Sequence, residues 1–225
     1  MALHIGIAAC SAEGAALCYR TICTEAPRLL GVPHAHPEVS MHTPSLAQYM
    51  DHIYRGDWQA VGEMLLDSAR KLAAMGADFA ICPDNTIHQA LPYVEPRSPI
   101  PWLHIAREVM EEIKRRKFRK VGLAGTRWLM EGPVYPGFLV RPDAAARAEI
   151  NRIIMEELVC GEFKPSAVAY FQEVFRRMQE DGCDAVVLGC TEIPLIMNDA
   201  NCALPTLDST RLLARAALRK ACFAG

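Results

Sequence analysis

The sequence predicts an α/β protein of two similar lobes, each a mainly parallel sheet flanked by helices. Three observations carry this: short apolar runs suited to burial on both faces, helical stripes between them, and a segment repeated 106 residues later. At 225 residues the chain holds one large domain or two modest ones and can bury a sizeable core.

Taken in order, LHIGIAA (3–9) is the first apolar run; no basic stretch precedes it, so it reads as a strand and not a signal peptide. ADFAICP (77–83), KVGLAG (120–125) and CDAVVLG (183–189) lack polar alternation, the pattern of strands covered on both sides. WQAVGEMLLDSARKLAAMG places Val61, Met64, Leu65 and Leu72 on one helical stripe. DAAARAEINRIIMEELVCGEF does the same with Ile150, Ile153, Ile154 and Leu158, and Gly161 supplies a stop. PSAVAYFQEVFRRMQEDG adds another helix. Strands alternating with helices require crossover connections, hence parallel sheets.

Formal net charge is −2, and the clearest basic cluster, KRRKFRK at 114–120, reads as a solvated helix end. No uncharged run is long enough to span a bilayer. Neither nucleic acid nor membrane is therefore an expected partner. Nine cysteines without a C-x-x-C pair or zinc comb suggest reduced, mostly buried thiols in a cytoplasmic protein. His34, His36 and His42 lie close together, the first two with the alternation of one strand face, but no carboxylate or thiol comb accompanies them. No metal is expected there. G-x-G-x-x-G is absent from the first turn, so no nicotinamide or flavin cofactor is expected either.

Comparison of the chain with itself is more informative. RKLAAMGADFAICPDNTIH (70–88) aligns with RRMQEDGCDAVVLGCTEIP (176–194). Gly76 meets Gly182, Asp78 meets Asp184, Ile87 meets Ile193, and Asp84 falls on Cys190. A weaker match pairs residues 4–11 with 120–127. The expected lobes are residues 1–105, with 206–225 packing back onto them, and 106–205. A pseudo-twofold arrangement would bring the two strand ends to opposite sides of one active-site cleft, since ligands bind beyond the carboxyl ends of strands in open α/β sheets. Alone, Asp84 suits a helix cap and Cys190 a buried thiol; their shared register points to a shared role. Asn85-Thr86 and Thr191-Glu192 suit helix N-terminal positions, which attract anions and favour a thiolate.

VVLGCTEIPLIM (186–197) and CPDNTIH (82–88) resemble the two catalytic segments of the aspartate/glutamate racemase family. GIAACSAEGAALCYRTI, VGLAGTRWLMEGPVYPGFL, INRIIMEELVCGEF and LPTLDSTRLLARAAL resemble further family segments, so the likeness spans most of the chain. It implies a pyridoxal-independent isomerase acting on small amino acids, usually a homodimer. Two opposed groups exchange the α-proton, one on each face. Carried over, Asp84 and Cys190 are those groups, and Asn85, Thr86 and Thr191 hold the substrate's carboxylate or amine. His88 and Glu192 tune the reacting pair, Ala9, Cys10 and Ser11 wall the pocket, and Lys164 matches a contact to the distal end of the substrate.

The chain departs from the family where the first catalytic cysteine is expected, because Asp84 stands there. Cys82 stands two residues before that register and is a poor substitute. A carboxyl ordinarily titrates near ~3.9 and a thiol near ~8.5, so Asp84 matches a thiol only if burial raises its pKa. One-sided chemistry at Cys190, as in a decarboxylase or a cis-trans isomerase of a small dicarboxylate, is the alternative, followed by a binding relative without catalysis. MHTPSLAQYM lacks the arginine that members acting on acidic substrates use for the distal carboxylate, and DSTRLLA lacks the histidine common after the family's Asp-Thr-Thr motif, which weakens aspartate or glutamate as the substrate.

Overall fold

The computed structural model describes residues 2–223. The chain divides into two compact units: one runs to Glu108 and resumes at Thr210, and the other is Val109–Ser209.

In the first unit β1 (Ile5–Ala8) leads into α1 (Ala12–Leu30), followed by β2 (Val39–His42), α2 (Leu46–Arg55), α3 (Trp58–Ala74) and β3 (Phe79–Ile81). A 3₁₀ turn at Thr86–Ala90, the single turn α4 (Leu91–Val94) and β4 (Trp102–Leu103) complete the sheet. Its order is β2-β1-β3-β4, and every pairing is parallel. β1 and β3 are buried throughout, as the unbroken apolar runs require. The stripe of α3 inserts Val61, Leu65 and Leu72, each fully buried, contributing about 1.5–3 kcal/mol apiece. Met64 sits at the edge of that stripe, half-buried.

α5 (Ile105–Arg116) crosses the boundary between the units and ends on Lys114, Arg115 and Arg116, the solvated end read from the sequence. Lys114 and Arg115 pair with Glu111 and Glu112 one turn back. The second unit continues with β5 (Val121–Ala124), α6 (Arg127–Glu131), α7 (Ala144–Glu156), α8 (Pro165–Glu180), β6 (Ala185–Leu188) and β7 (Thr206–Asp208). A 3₁₀ turn over Leu158–Cys160 ends on Gly161. Its sheet has the order β5-β6-β7, again parallel. A parallel bridge from Gly122 to Val140 extends it on the β5 side. The order Val140-β5-β6-β7 thus repeats β2-β1-β3-β4. α9 (Ser209–Phe223) belongs to the first unit from Thr210 onward, where Leu213, Ala214, Ala217, Leu218 and Ala221 join the core around β1 and α1.

The repeat is reproduced in the structure where helix meets strand. Gly76 and Gly182 have φ of +88° and +87°, the left-handed turn that ends α3 and α8. Ala77 N–H returns to Leu72 O at 3.0 Å, and Cys183 N–H to Met178 O at 2.9 Å. Asp78 then accepts from His4 N–H at 2.7 Å, and Asp184 from Arg119 and Lys120 N–H at 2.8 and 3.1 Å. In each unit an aspartate clasps the chain entering the neighbouring strand, β1 or β5. His4 and Lys120 are also partners in the weaker sequence match.

Two expectations need correction. His34 and His36 share no strand face: β2 begins at Val39, and His34 has φ +64° in the turn before it. The residues after β3 and β6 enter 3₁₀ turns and not α-helices, with Asn85 already in the helical region and making no side-chain cap. A turn of three to five residues carries little macrodipole, so the helix-terminus argument for a bound anion or a favoured thiolate fails.

Candidate active site

In the first unit, parallel pairing of β1 with β2 and β3 sets three carboxyl ends side by side. Ala9 N–H donates to His42 O at 2.9 Å, tying the first strand end to the second. Ala9 and Cys10 are buried, and Ser11 caps α1 by accepting from Gly14 N–H at 3.2 Å. Beyond β3, Asp84 is half-buried between buried Pro83 and Asn85. Its Oδ1 accepts from Ile87 N–H at 3.0 Å, fixing the carboxyl group at the mouth of the turn. Asn85, Thr86 and His88 are all buried.

His88 Nε2 lies 3.0 Å from Cys82 O, so it donates there and clamps the end of β3 two residues before Asp84. Its Nδ1 is buried without a partner, and its ring meets His104 edge-on at 4.6 Å. Burial, then His104, pushes the His88 pKa down to about 3; burial and Arg107 push His104 to about 4. Both are neutral at physiological pH. Cys82 is fully enclosed, and burial followed by the Asp84 charge pushes its thiol pKa up.

Tyr49 is a residue the sequence reading passed over. It sits in α2 with no exposed surface, and the Ser68 hydroxyl is its nearest polar neighbour, outside strict hydrogen-bond geometry. Burial raises its pKa, with the charges of Cys82, Cys10 and Asp84 acting the same way and the Ser68 hydroxyl acting against them. Ser68, also enclosed, donates to Met64 O at 3.1 Å and meets His42 Nδ1 at 2.9 Å.

In the second unit the strand ends of β5 and β6 approach closely. Gly189 N–H donates to Ala124 O at 2.7 Å, and a Cβ on Gly189 would lie 2.9 Å from that same oxygen. Ser209 Oγ donates to Leu188 O at 2.8 Å, and Thr126 caps α6 through Leu129 N–H at 3.3 Å. Cys190 follows, buried, with its thiol donating to Glu192 Oε2 at 2.9 Å. Thr191 Oγ1 donates to the same oxygen at 3.1 Å. Glu192 Oε1 is buried without a partner. The sequence reading made Glu192 a tuning group at one remove; it contacts the thiol directly. Lys164 stands at the exposed start of α8, its ammonium 2.8 Å from Glu162 and 3.8 Å from Glu157.

Among the described residues no three His, Cys, Asp or Glu side chains are grouped to hold a metal, and no helix is long and apolar enough to cross a membrane.

Known proteins align with this chain over most of its length. A broad-specificity amino-acid racemase of Bacillus subtilis is 22% identical over 163 residues, 71% of each chain. The structure of a candidate Asp/Glu racemase from Yersinia pestis superposes with a TM-score of 0.87 at 29% identity, covering 97% of this chain and 99% of that one. An aspartate racemase homologue from Pyrococcus horikoshii gives 0.81 at 27% identity, covering 98% and 99%. The family model of the Asp/Glu/hydantoin racemases matches residues 7–217. With that span and the paired strand ends described above, the chain belongs to the Asp/Glu/hydantoin racemase family.

Proposed function

We propose that this chain is a cofactor-independent amino-acid racemase in which Asp84 and Cys190 exchange the α-proton on opposite faces of the substrate. The observation that carries the reading is the buried thiol of Cys190 donating to Glu192 Oε2 at 2.9 Å. A thiol becomes a base only when its proton has somewhere to go, and here a carboxylate stands in hydrogen-bond contact with it. Inversion needs a second group because the returning proton must arrive from the side opposite removal. Asp84, in register with Cys190 in the repeat, supplies it. Asn85, Thr86 and Thr191 hold the carboxylate and amine, with Ala9, Cys10 and Ser11 as the adjoining wall, and Lys164 is left to its own ion pairs. By analogy with the broad-specificity relative, the substrate is a small amino acid not confined to the acidic ones, and the working form is a cytoplasmic homodimer.

The test is incubation in heavy water with a panel of D- and L-amino acids, followed by proton NMR and chiral chromatography. Loss of the α-proton signal together with inversion is expected, and Cys190→Ser abolishes both. Absence of exchange for every amino acid refutes the racemase assignment. The hydrogen bond from Ile87 N–H to Asp84 favours a second reading, in which Asp84 only shapes the turn and Cys190 protonates from one side. Exchange without inversion, unaffected by Asp84→Asn, would establish it.

A further inference from the structure

The charge pattern of α9 differs from that of the other long helices, which mix signs. α8 sets Arg176 and Arg177 against Glu173 at 2.8 Å, and α7 sets Arg152 against Glu149 at 2.7 Å. α9 carries Arg211, Arg215, Arg219 and Lys220 and no acidic residue. The three arginines are four positions apart, so they stack on one helical stripe, where like charges repel. The helix dipole accounts for Lys220 in the last turn but not for Arg211 in the first, where a positive charge is unfavourable.

A groove of about 690 Å³ runs along that stripe where α9 meets the second half of α1. Arg28 and Leu29 line it from α1, and Arg215, Leu218 and Arg219 from α9. Among the described residues that line it, Glu25 is the one carboxylate, and Arg215 already holds both of its oxygens at 2.8 Å. Arg219 stands 3.7 Å from Glu108, beyond hydrogen-bond reach. Arg28, in the last turn of α1, forms no hydrogen bond or ion pair among the described residues. Two guanidinium groups on neighbouring helices thus keep unengaged donors beside two leucines, in a volume that suits a small organic molecule. α9 ends beside the chain entering β1, with Leu3 N–H donating to Ala221 O at 2.9 Å. The groove therefore lies towards the amino edge of the sheet, away from the strand ends that carry Cys10 and Asp84.

We propose that this groove is a second ligand site, for a small organic anion whose carboxylate or phosphate oxygens are held by Arg28 and Arg219 and whose short carbon chain lies over Leu29 and Leu218. The guanidinium fork matches both kinds of oxyanion and forms charge-assisted hydrogen bonds with either. A bound anion also relieves the repulsion along α9, which no side chain of that helix offsets. The site stands apart from the proposed exchange at Asp84 and Cys190, and its test does not depend on turnover.

Calorimetric titration at low ionic strength, with glutarate, propyl phosphate and inorganic phosphate as probes, tests this. The wild-type chain is expected to bind glutarate or propyl phosphate in a one-to-one complex that weakens with added salt. The tighter of the two identifies the oxyanion, and either sustains the proposal. Inorganic phosphate is expected to bind more weakly, because it leaves the leucines uncovered. Arg28→Gln and Arg219→Gln should each lower the affinity by about 10-fold, the loss of a charge-assisted bond. Both side chains are exposed, so neither substitution opens the core. Failure of both organic probes to bind overturns the proposal. So does unchanged affinity in either arginine variant, which would place the probe elsewhere, the strand ends included. Inorganic phosphate binding as tightly as propyl phosphate would also overturn it, leaving an adventitious ion only.

Discussion

Gly189→Ala is a sharp test of how the second strand end is built. The added Cβ would lie 2.9 Å from Ala124 O, 2.6 Å from Leu129 Cδ2 and 3.0 Å from Leu123 Cδ1. The leucine tips can swing aside, but the carbonyl cannot, because Gly189 N–H is bonded to it at 2.7 Å. Relief therefore stretches that bond and displaces the residue preceding Cys190. Overpacking of this kind costs about 1–3 kcal/mol. At about 2–4 °C per kcal/mol for a chain of this size, the melting temperature falls by about 2–12 °C. A shift of about half an ångström at a reacting group, scaled from ~100-fold for 1 Å, lowers turnover by about 10-fold. Gly182→Ala is the control: its Cβ meets only Lys120 Nζ at 4.0 Å, so only the left-handed backbone is strained, at about 1–2 kcal/mol. It should lose stability while keeping its rate per folded molecule. Calorimetric melts with α-proton exchange rates decide the matter. Gly189→Ala with wild-type turnover would refute the claim that the close approach sets the position of Cys190.

Other expected outcomes follow from the same geometry. Asp184→Ala removes both bonds to the chain entering β5 and should lower stability by about 1–2 kcal/mol in urea titrations, without changing turnover of the folded fraction. Asp84→Asn keeps an oxygen for Ile87 N–H, so its melting temperature should stay close to wild type while inversion is lost in chiral analysis. For pH, His88 has a folded pKa of about 3 against an ordinary 6.5, so the unfolded chain binds the extra proton. Its contribution is intact above pH ~6.5 and is lost as pH falls towards 3, by a few kcal/mol in all. His88→Gln should flatten the acid limb of the urea-midpoint profile; an unchanged slope would show that His88 does not drive it.

Much of the fold was legible because the chain states it twice. The buried strands announce themselves by unbroken apolar runs, and the Gly-x-Asp pairs at 76–78 and 182–184 mark the same left-handed turn and clasp. β2 is as long as β1, but its Val-Ser-Met-His is no unbroken apolar run, β7 holds one buried residue between two half-buried polar ones, and β4 has only two residues. At the site, the Asp84–Cys190 register was visible, but the contact from Cys190 to Glu192 was not. Two residues of separation say nothing about direction until a 3₁₀ turn folds the carboxylate back.

The placement of α9 has a consequence for biosynthesis. The second unit is a continuous stretch, Val109–Ser209, and every residue it needs has been made once Ser209 has left the ribosome. The first unit begins earlier yet remains open longer. Its core lacks Leu213, Leu218 and the alanines between and after them, as well as the bond from Leu3 N–H to Ala221 O and the bidentate Arg215–Glu25 pair. Those contacts join residues about 200 positions apart, the kind whose loop closure slows folding. The nascent chain therefore carries an apolar edge around β1 and α1 until α9 has emerged, and of the two units the one begun first is the second to close.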